Sequence, residues 1–250
     1  MMTPELSGAA RTLLIPLWCR AKCAIDYPAL GVGEADTEVL RSLSADYSQA
    51  RRTDCALYAL RELLLRDAAR AFFAEMPHAA IIDVGCGLDT LSRSLGVEEN
   101  ARYFVDLPEV IELRRDLIPP AAGETYIAAD VRDFAFLKSI SAPDGAIFLM
   151  GGLLCHLERE HVISLLRAIA AAFPGCHLAF DGVGSAARVL DGKVAASALP
   201  GAARLGRECG IDVRAMRALP AEFAALPFGT RARLALFLGC GALRFYRAGA

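Results

Sequence analysis

The sequence has almost no net charge and no long apolar run, and each absence excludes a class of protein. Its 250 residues carry 27 Lys and Arg against 29 Asp and Glu, a formal net charge of −2. Without a basic excess the chain lacks the positive face that binds phosphate backbones, so we expect no nucleic-acid partner. The longest apolar stretches, 145–157 and 234–243, are shorter than the roughly 18–20 residues that span a bilayer, so we expect no membrane partner.

Two further features that the sequence lacks concern its compartment and its cysteines. The N-terminus has no secretory signal pattern, because Glu5 occupies the region that would be basic and the apolar run at 12–18 is short. We therefore expect a cytoplasmic protein. The eight cysteines are dispersed, which does not suggest a disulfide framework. Cys19 and Cys23 are four residues apart, but no third cysteine follows at cluster spacing, which favours buried thiols over a metal site.

The chain does have ample apolar material and a change of pattern near Pro77. Hydrophobic residues make up 55% of the sequence, enough for a sizeable core. Residues 1–77 are predicted to be helical, with a strongly amphipathic helix over 61–73. Short apolar runs then alternate with helical stretches. The predicted strands are 79–84, 102–105, 125–128, 146–150 and 177–180, and the predicted helices are 90–95, 108–115, 133–140 and 158–173.

This alternation of strands and helices predicts an α/β fold. Near-continuous apolar strands are typical of a doubly wound, mostly parallel sheet that helices cover on both faces. We interpret 1–77 as an N-terminal helical cover and 78–250 as the α/β core of one structural unit. The end of the chain is ambiguous, since 211–217 is a candidate strand and 234–247 fits a helix, a strand or one of each.

A glycine-rich turn follows the first predicted strand, which contains Asp83. The turn reads Gly-Cys-Gly-Leu-Asp-Thr and begins at Gly85, and its second glycine is Gly87. The next strand ends at Asp106, 19 residues beyond Gly87. Glycines at this position let the backbone approach a ligand closely, and an acid about 20 residues further on commonly binds ribose hydroxyls. The spacing therefore indicates a cofactor that contains a nucleoside.

The residues that complete the turn indicate which cofactor this is. A dinucleotide site has a third glycine three residues after Gly87, and here that residue is Thr90. Asp89 would also repel a pyrophosphate. A short turn with acidic neighbours suits a cofactor that carries an amino acid and a sulfonium cation, S-adenosyl-L-methionine. The alternative is that the glycines only make a tight turn and Asp106 only caps the helix that begins at Pro108.

Five segments, taken together, resemble one protein family. They are TLLIPLWCRA at 12–21, VGCGLDT at 84–90, VDLPEVIELR at 105–114, ADVRDF at 129–134 and FPGCHLAFD at 173–181. The set resembles the leucine carboxyl methyltransferase family, in particular its bacterial branch of polyketide-type O-methyltransferases. The resemblance covers residues 12 to about 185, and the segment at 105–114 is its most specific part.

The resemblance implies a class I methyltransferase sheet with an N-terminal helical cover and a site for S-adenosyl-L-methionine. By the resemblance, Gly85 and Gly87 approach the methionine part of the cofactor and Asp106 takes its ribose hydroxyls. Asp130 and Val131 would meet the adenine, Asp130 by accepting from its amino group. Three other residues belong to the same implied cofactor site, namely Asp83, Leu107 and Gly151.

Arg61 falls where the family places an arginine on the helix before the first strand. The resemblance implies that Arg61 pairs with the methionine carboxylate, because a buried carboxylate needs a charged or multiply bonded partner. The alternative is that Arg61 lies on a solvated face of its helix.

The sequence also departs from the family's pattern. After the fourth strand the family usually has Glu-Gly-x-x-x-Tyr, whereas residues 151–156 here are Gly-Gly-Leu-Leu-Cys-His. Gly151 removes a carboxylate from beside the cofactor's methionine amine, and His156 replaces an aromatic hydroxyl. Leu91 stands where the family often has arginine. These departures concern the substrate and catalysis more than the fold.

The chemistry makes His156 the candidate catalytic residue. Methyl transfer is mostly a matter of positioning, and a carboxylate acceptor needs no base, whereas a hydroxyl must lose its proton. His156 follows the carboxyl end of a central strand, where open α/β sheets bind ligands; the alternative is that it caps or packs beneath the next helix. We predict an O-methyltransferase acting on a hydroxyl or carboxylate of a small molecule.

Three other functions stay open, and so does the oligomeric state. They are a non-catalytic relative that binds the cofactor, a nucleotide-dependent oxidoreductase on a similar sheet, and methylation of a protein's C-terminal carboxylate.

Overall fold

A single β-sheet organises the described part of the chain, which comprises residues 13–43, 55–184, 198–216 and 218–249 of a computed structural model. The strands are β1 (Ala80–Val84), β2 (Arg102–Asp106), β3 (Glu124–Ala128), β4 (Ala146–Met150), β5 (His177–Val183), β6 (Asp212–Met216) and β7 (Leu243–Gly249). The α-helices are α1 (Leu14–Asp26), α2 (Glu34–Ser42), α3 (Cys55–Glu75), α4 (Pro108–Leu117), α5 (Arg159–Ala172), α6 (Ala202–Cys209) and α7 (Phe228–Gly239).

The order of the strands creates a crevice at the centre of the sheet. Within the described residues the order is β3-β2-β1-β4-β5-β7-β6. The pairs of neighbouring strands from β3 to β5 are parallel, and β7 runs antiparallel to both β5 and β6. The chain moves outward from β1 to β3 and then returns to β4 on the other side of β1. Such a reversal leaves a crevice outside the carboxyl ends of the two central strands, where open α/β sheets bind ligands.

The central strands are buried on both faces, as their continuous apolar sequences require. On one face Ile82, Phe148 and Phe180 pack in a cluster with the apolar side of α5. On the other face Ile81 and Leu149 pack against α3. Because side chains alternate along a strand, α3 covers the odd-numbered residues of β1, β4 and β5. The predicted doubly wound, mostly parallel sheet is confirmed.

The helices before β1 bring the N-terminal segment to the glycine turn. α1 packs against α2 and α3. Leu17 of α1 lies fully buried in a cluster with Leu88 of the turn and Leu113 of α4. The first helices therefore contact the carboxyl edge of the sheet on the side of β1 and β2.

Two ambiguous segments and two predicted helices take definite forms. The candidate strand at 211–217 is β6, and 234–247 is one of each, the end of α7 followed by β7. The predicted helices at 90–95 and 133–140 are short 3-10 helices, Leu91–Ser94 and Phe134–Ser139. The second begins where the Asp133 carboxylate accepts the backbone N–H of Ala135, a local bond that favours turns and helix starts over long helices.

Three properties of the described residues bear on what the chain binds. No helix in the described ranges is long and apolar enough to cross a membrane. The same ranges contain no group of three or more metal-ligating side chains placed to hold an ion. All eight cysteines lie within them, and no disulfide joins any two.

Candidate functional site

The glycine turn after β1 is a close-packed backbone cradle. Gly85 and Gly87 have φ angles of 71° and 48°, in the left-handed region that side chains disfavour. A Cβ atom at Gly85 would lie 2.9 Å from Cδ1 of Leu153, and one at Gly87 would lie 2.8 Å from Cδ2 of Leu13. Both glycines are therefore required here, and the two leucines line the space over the turn.

The Asp106 carboxylate ties the end of β2 to this turn. Its Oδ2 accepts the backbone N–H of Gly87 at 2.7 Å, and its Oδ1 accepts the N–H of Leu107 at 2.8 Å. Burial raises the pKa of the Asp106 carboxyl, although both N–H groups favour the charged form. Each carboxylate oxygen has a second lone pair, so Asp106 can still accept from two hydroxyls. Asp106 does not cap α4, because Leu107 is the N-cap and no side chain caps the helix. The carboxylate fixes the turn and keeps lone pairs for ribose hydroxyls.

A buried arginine supports the turn from below. Arg114 is fully buried, and its Nη1 donates to the carbonyl of Gly87 at 2.9 Å. The guanidinium lies 4.3 Å from the ring centroid of Phe104 and 5.0 Å from that of Tyr126. Cation–π contacts of this kind stabilise a charge that is removed from water. The turn is therefore held on both sides, with Asp106 on its N–H and Arg114 on its carbonyl.

A second buried arginine joins the N-terminal helices to the same turn. Arg20 of α1 donates from Nε and Nη2 to Asp36 of α2 at 2.9 and 2.8 Å. Its Nη2 also donates to the carbonyl of Leu88 at 3.3 Å, and its Nη1 lies 3.4 Å from Asp89 Oδ2. Such a bidentate pair fixes the geometry as well as supplying energy. The position of α1 and α2 is thereby coupled to the position of the turn.

Glu62 is the uncompensated member of this cluster. It is buried, its Oε2 has no hydrogen bond within the described residues, and the nearest atom of Arg20 is 3.6 Å away. Arg20 already holds Asp36, so burial dominates and raises the pKa of the Glu62 carboxyl to about 8. Glu62 is therefore neutral at pH 7, beside an ion pair that is charged.

Asp83 lies in β1 on the face that α3 covers. Its carboxyl is buried, and burial raises its pKa well above the usual range, with a further contribution from the nearby charge of Asp89. Asp83 thus places a buried carboxyl near the carboxyl end of β1.

The loop after β3 holds the residues that we predicted for the adenine. Asp130 accepts from the backbone N–H and the Nε of Arg132, each at 2.9 Å, and this guanidinium lowers the pKa of the carboxyl. Val131 is buried in the core cluster next to α5. Asp130 is thus partly exposed and already paired with a neighbour in sequence.

Arg61 lies at the ends of β4 and β5 rather than on a solvated helix face. Its Nε donates to Asp181 Oδ2 at 2.8 Å, and Asp181 Oδ1 accepts the N–H of Gly152 at 2.6 Å. Burial opposes the charge on Arg61, but the charge and hydrogen bond of Asp181 together with Tyr58 and Cys155 outweigh it, so the pKa of the guanidinium lies above its usual range. The side chain of Arg61 is 25% exposed and that of Asp181 is 9% exposed. The Arg61–Asp181 ion pair thus lies at the carboxyl ends of β4 and β5, next to the crevice.

Gly151 packs closely against side chains of α3. A Cβ atom at Gly151 would lie 3.0 Å from Cδ1 of Leu65 and 3.3 Å from Cδ of Arg61. The space beside the end of β4 is filled by the alkyl part of Arg61 as it crosses to Asp181. The missing family carboxylate at 151 and the Arg61–Asp181 pair are therefore linked in space.

His156 ends the short 3-10 helix Leu154–His156 that follows β4 and is exposed. Partial desolvation and the charge of Arg61 lower the pKa of its imidazole, against the opposing effect of Asp181. A histidine of lowered pKa is neutral at pH 7 and can accept a proton.

The structure brings the predicted residues to one edge of the sheet. They follow the carboxyl ends of β3, β2, β1 and β4 in spatial order, and Arg61 reaches the same edge from α3. Sequence reasoning missed three supporting charges, although each stands in a segment quoted for the resemblance: Arg20, Arg114 and Asp181. A charged residue inside an otherwise apolar segment was the available signal.

Comparison with known proteins identifies the family. The family model for leucine carboxyl methyltransferase matches residues 29–170. The chain belongs to the leucine carboxyl methyltransferase family. The family is one of S-adenosyl-L-methionine-dependent methyltransferases, so the predicted enzyme class and cofactor are confirmed.

Individual relatives of this methyltransferase agree with the family match. The chain is 31% identical over 188 residues to the tetracenomycin polyketide synthesis O-methyltransferase TcmP of Streptomyces glaucescens, covering 72% of this chain and 68% of that protein. It is 32% identical over 186 residues to the S-adenosyl-L-methionine-dependent methyltransferase dpfgK of Gibberella zeae, covering 67% of this chain and 62% of that protein. The chain thus spans less than two thirds of the second relative's length.

A solved structure agrees in fold. The crystal structure of an S-adenosylmethionine-dependent methyltransferase from Mesorhizobium loti superposes with a TM-score of 0.53 at 18% identity, covering 74% of this chain and 96% of that one. At this identity the likeness concerns the fold alone, which is the predicted class I methyltransferase fold.

Proposed function

We propose that the methyltransferase transfers a methyl group from S-adenosyl-L-methionine to an oxygen atom of a small molecule. The observation that carries the proposal is the glycine turn, held between Asp106 and Arg114 at the crevice beside β1 and β4. When bound, the cofactor supplies an activated methyl group on a sulfonium. The chain's own task is then to position the two reactants and to exclude water.

The residues at the carboxyl edge fit the parts of that cofactor. Asp106 accepts hydroxyls of the ribose with the lone pairs that the backbone leaves, while Leu107 and the glycines Gly85 and Gly87 border the same space. Arg61 offers a cation for the methionine carboxylate. Four further residues complete the proposed cofactor site, namely Asp83, Asp130, Val131 and Gly151.

The acceptor is proposed from the chemistry of His156. A neutral imidazole on the exposed 3-10 helix after β4 suits an acceptor hydroxyl that must lose a proton, and it is not needed for a carboxylate. One relative is described as a polyketide synthesis O-methyltransferase, which supports an oxygen acceptor on a small molecule for this chain. We therefore favour a hydroxyl acceptor, keep a carboxylate as the second class, and expect no nucleic acid or membrane as partner.

We also carry two predictions from the sequence into this proposal. We propose that 1–77 is a helical cover and 78–250 the core of one unit, and the burial of Arg20 between α1, α2 and the glycine turn supports this. Residues 1–12, 44–54 and 185–197, on which the proposal also falls, lie outside the described residues. The cytoplasmic location rests on the sequence pattern.

Isothermal titration tests the proposed cofactor, and product analysis then tests the acceptor. The purified chain should bind S-adenosylhomocysteine and give no comparable heat with NAD. A screen of phenols, hydroxy acids and carboxylic acids, scored by release of S-adenosylhomocysteine from the cofactor, should then identify the acceptor class. A preference for NAD would overturn the proposal, and tight cofactor binding with no product from a broad screen would favour the non-catalytic relative.

A further inference from the structure

The ion pair between Arg61 and Asp181 holds the guanidinium in one orientation. Asp181 binds the Nε side of the guanidinium at 2.8 Å. The ring of Tyr58, one turn earlier on α3, lies 5.1 Å from the central carbon. The backbone of Gly152 lies close to the guanidinium group, since a Cβ there would be 2.7 Å from Nη1, 3.0 Å from Cζ and 3.3 Å from Nη2. The Arg61 side chain therefore has little rotational freedom, because it contacts Asp181 through Nε, the Tyr58 ring through the plane of the guanidinium, and the backbone of Gly152.

The support leaves one edge of the guanidinium for a ligand. Within the described residues Nη1 and Nη2 of Arg61 make no hydrogen bond, whereas Nε is used by Asp181. A guanidinium binds a carboxylate best through two parallel N–H donors, and the Nη1–Nη2 edge offers such a pair. The side chain of Arg61 is also the more exposed partner of the pair, at 25% against 9%.

The position of Asp181 explains how the pair forms. Phe180 lies opposite Met150 in the parallel pairing of β4 and β5, so Asp181 lies beside Gly151 at the same edge. Asp181 shares the face of Ala179, which α3 covers. Its second oxygen accepts the N–H of Gly152 and so fixes the carboxylate to the strand end. The Asp181 carboxylate is thus fixed to the end of the sheet, and it in turn fixes the position of the Arg61 guanidinium.

We propose that Asp181 is a positioning residue that holds Arg61 by its Nε and aims the Nη edge at the α-carboxylate of the cofactor's methionine part. The inference rests on the proposed function, because it takes the methionine part to bind at this edge. A buried ion pair is weak evidence for stability, since desolvation offsets much of its attraction. We therefore explain the Arg61–Asp181 pair by its role in orienting the Arg61 charge toward a ligand, and not by a contribution to stability.

Two ligands that differ only at the methionine end test the proposal by binding alone. S-adenosylhomocysteine carries the α-carboxylate, and 5′-methylthioadenosine keeps the nucleoside and the sulfur but lacks the amino acid part. We expect Asp181→Asn to weaken S-adenosylhomocysteine about tenfold or more, since it removes a charge-assisted bond. The affinity for 5′-methylthioadenosine should stay within about twofold. The matched control is Asp212→Asn, because Asp212 pairs with Arg214 in an exposed ion pair on β6, and it should change neither affinity.

A double-mutant cycle separates positioning from direct contact. In an Arg61→Met background, Asp181→Asn should change the affinity for S-adenosylhomocysteine by less than about twofold, because Asp181 acts through Arg61. This double variant also removes both buried charges, so it does not leave one of them uncompensated. Additive losses, or equal losses for the two ligands, would overturn the proposal.

Gly152→Ala gives a second route if Asp181→Asn fails to fold. It keeps both charges and displaces the guanidinium, because the new Cβ would lie 2.7 Å from Nη1 and 3.0 Å from Cζ of Arg61, and it also strains the backbone, since Gly152 has a φ of 78°. It should reduce the affinity ratio of the two ligands in the same direction, and an unchanged ratio contradicts the proposal. A parent protein that binds neither ligand would instead contradict the proposed function.

Discussion

Replacing Asp106 by alanine tests the centre of the proposed cofactor site. The substitution removes one carboxylate that accepts the N–H of Gly87 at 2.7 Å and that of Leu107 at 2.8 Å. If the same carboxylate accepts ribose hydroxyls, the variant loses two functions. One is the attachment of the glycine turn to β2, and the other is the recognition of the cofactor. The two losses are measured separately, by stability and by affinity.

The expected magnitudes follow from the hydrogen bonds. A buried backbone N–H left without its acceptor costs about 1–3 kcal/mol, so the loss at Gly87 should lower the melting temperature by several degrees. Hydrogen bonds from ribose hydroxyls to a charged acceptor contribute about 1.5–3 kcal/mol, which corresponds to a roughly tenfold to hundredfold lower affinity for S-adenosylhomocysteine. Burial raises the pKa of Asp106, while the N–H groups of Gly87 and Leu107 favour the anion.

The assay compares S-adenosylhomocysteine with its 2′,3′-dideoxy analogue by isothermal titration. The parent should prefer the natural ligand, and Asp106→Ala should lose that preference. Asp133→Ala is the matched control, because the Asp133 carboxylate also accepts a backbone N–H, from Ala135, in the loop after β3. It should cost stability and leave the preference intact. If Asp106→Ala keeps the parent's preference for the hydroxylated ligand, Asp106 serves the turn alone and the ribose assignment is wrong.

Three further predictions concern catalysis, pH dependence and the buried charges. With a hydroxyl acceptor, His156→Ala should lower turnover by about 10²–10⁴-fold with little change in cofactor affinity. The parent's rate should rise with pH below about 6.5, because the pKa of His156 is lowered. With a carboxylate acceptor, turnover should show neither effect. Glu62 keeps its proton in the folded state up to about pH 8 but ionises near its ordinary pKa when unfolded, so its contribution to stability should be lost as pH rises from about 4.5 to 8, by up to about 1.4 kcal/mol per pH unit. Thermal denaturation of Glu62→Gln should show a flatter pH profile over that range than the parent. Arg20→Met should cost about 3–5 kcal/mol by leaving Asp36 uncompensated, and adding Asp36→Asn should restore most of it in denaturant titrations.

The sheet was predictable because its strands follow a simple physical rule. Continuous apolar runs such as 146–150 can only be buried on both faces, which requires a parallel sheet between two layers of helices. The end of the chain was less predictable, because apolar residues continue from α7 into β7 and do not show where the helix ends and the strand begins. A strand that pairs antiparallel with β5 leaves no mark of that partner in its own sequence.

The candidate site was predictable where the backbone makes it. Gly85 and Gly87 are specified by positive φ angles and close packing, and the spacing to Asp106 follows from the length of one strand–loop–strand unit. The partners of the charges were not predictable, because they come from distant segments. Arg61 and Asp181 are 120 residues apart in sequence and meet only when α3 packs across β4 and β5.

The departure at Gly151 bears directly on whether the chain is an enzyme or a non-catalytic relative. Gly151 places no carboxylate at this edge, but Asp181 supplies one from the neighbouring strand, and the Arg61 side chain lies against Gly151. Methyl transfer asks for positioning more than for side-chain chemistry, so the absence of a carboxylate at 151 is compatible with turnover. Whether the chain is an enzyme or a non-catalytic relative is therefore tested best at His156, with an acceptor whose hydroxyl must lose a proton.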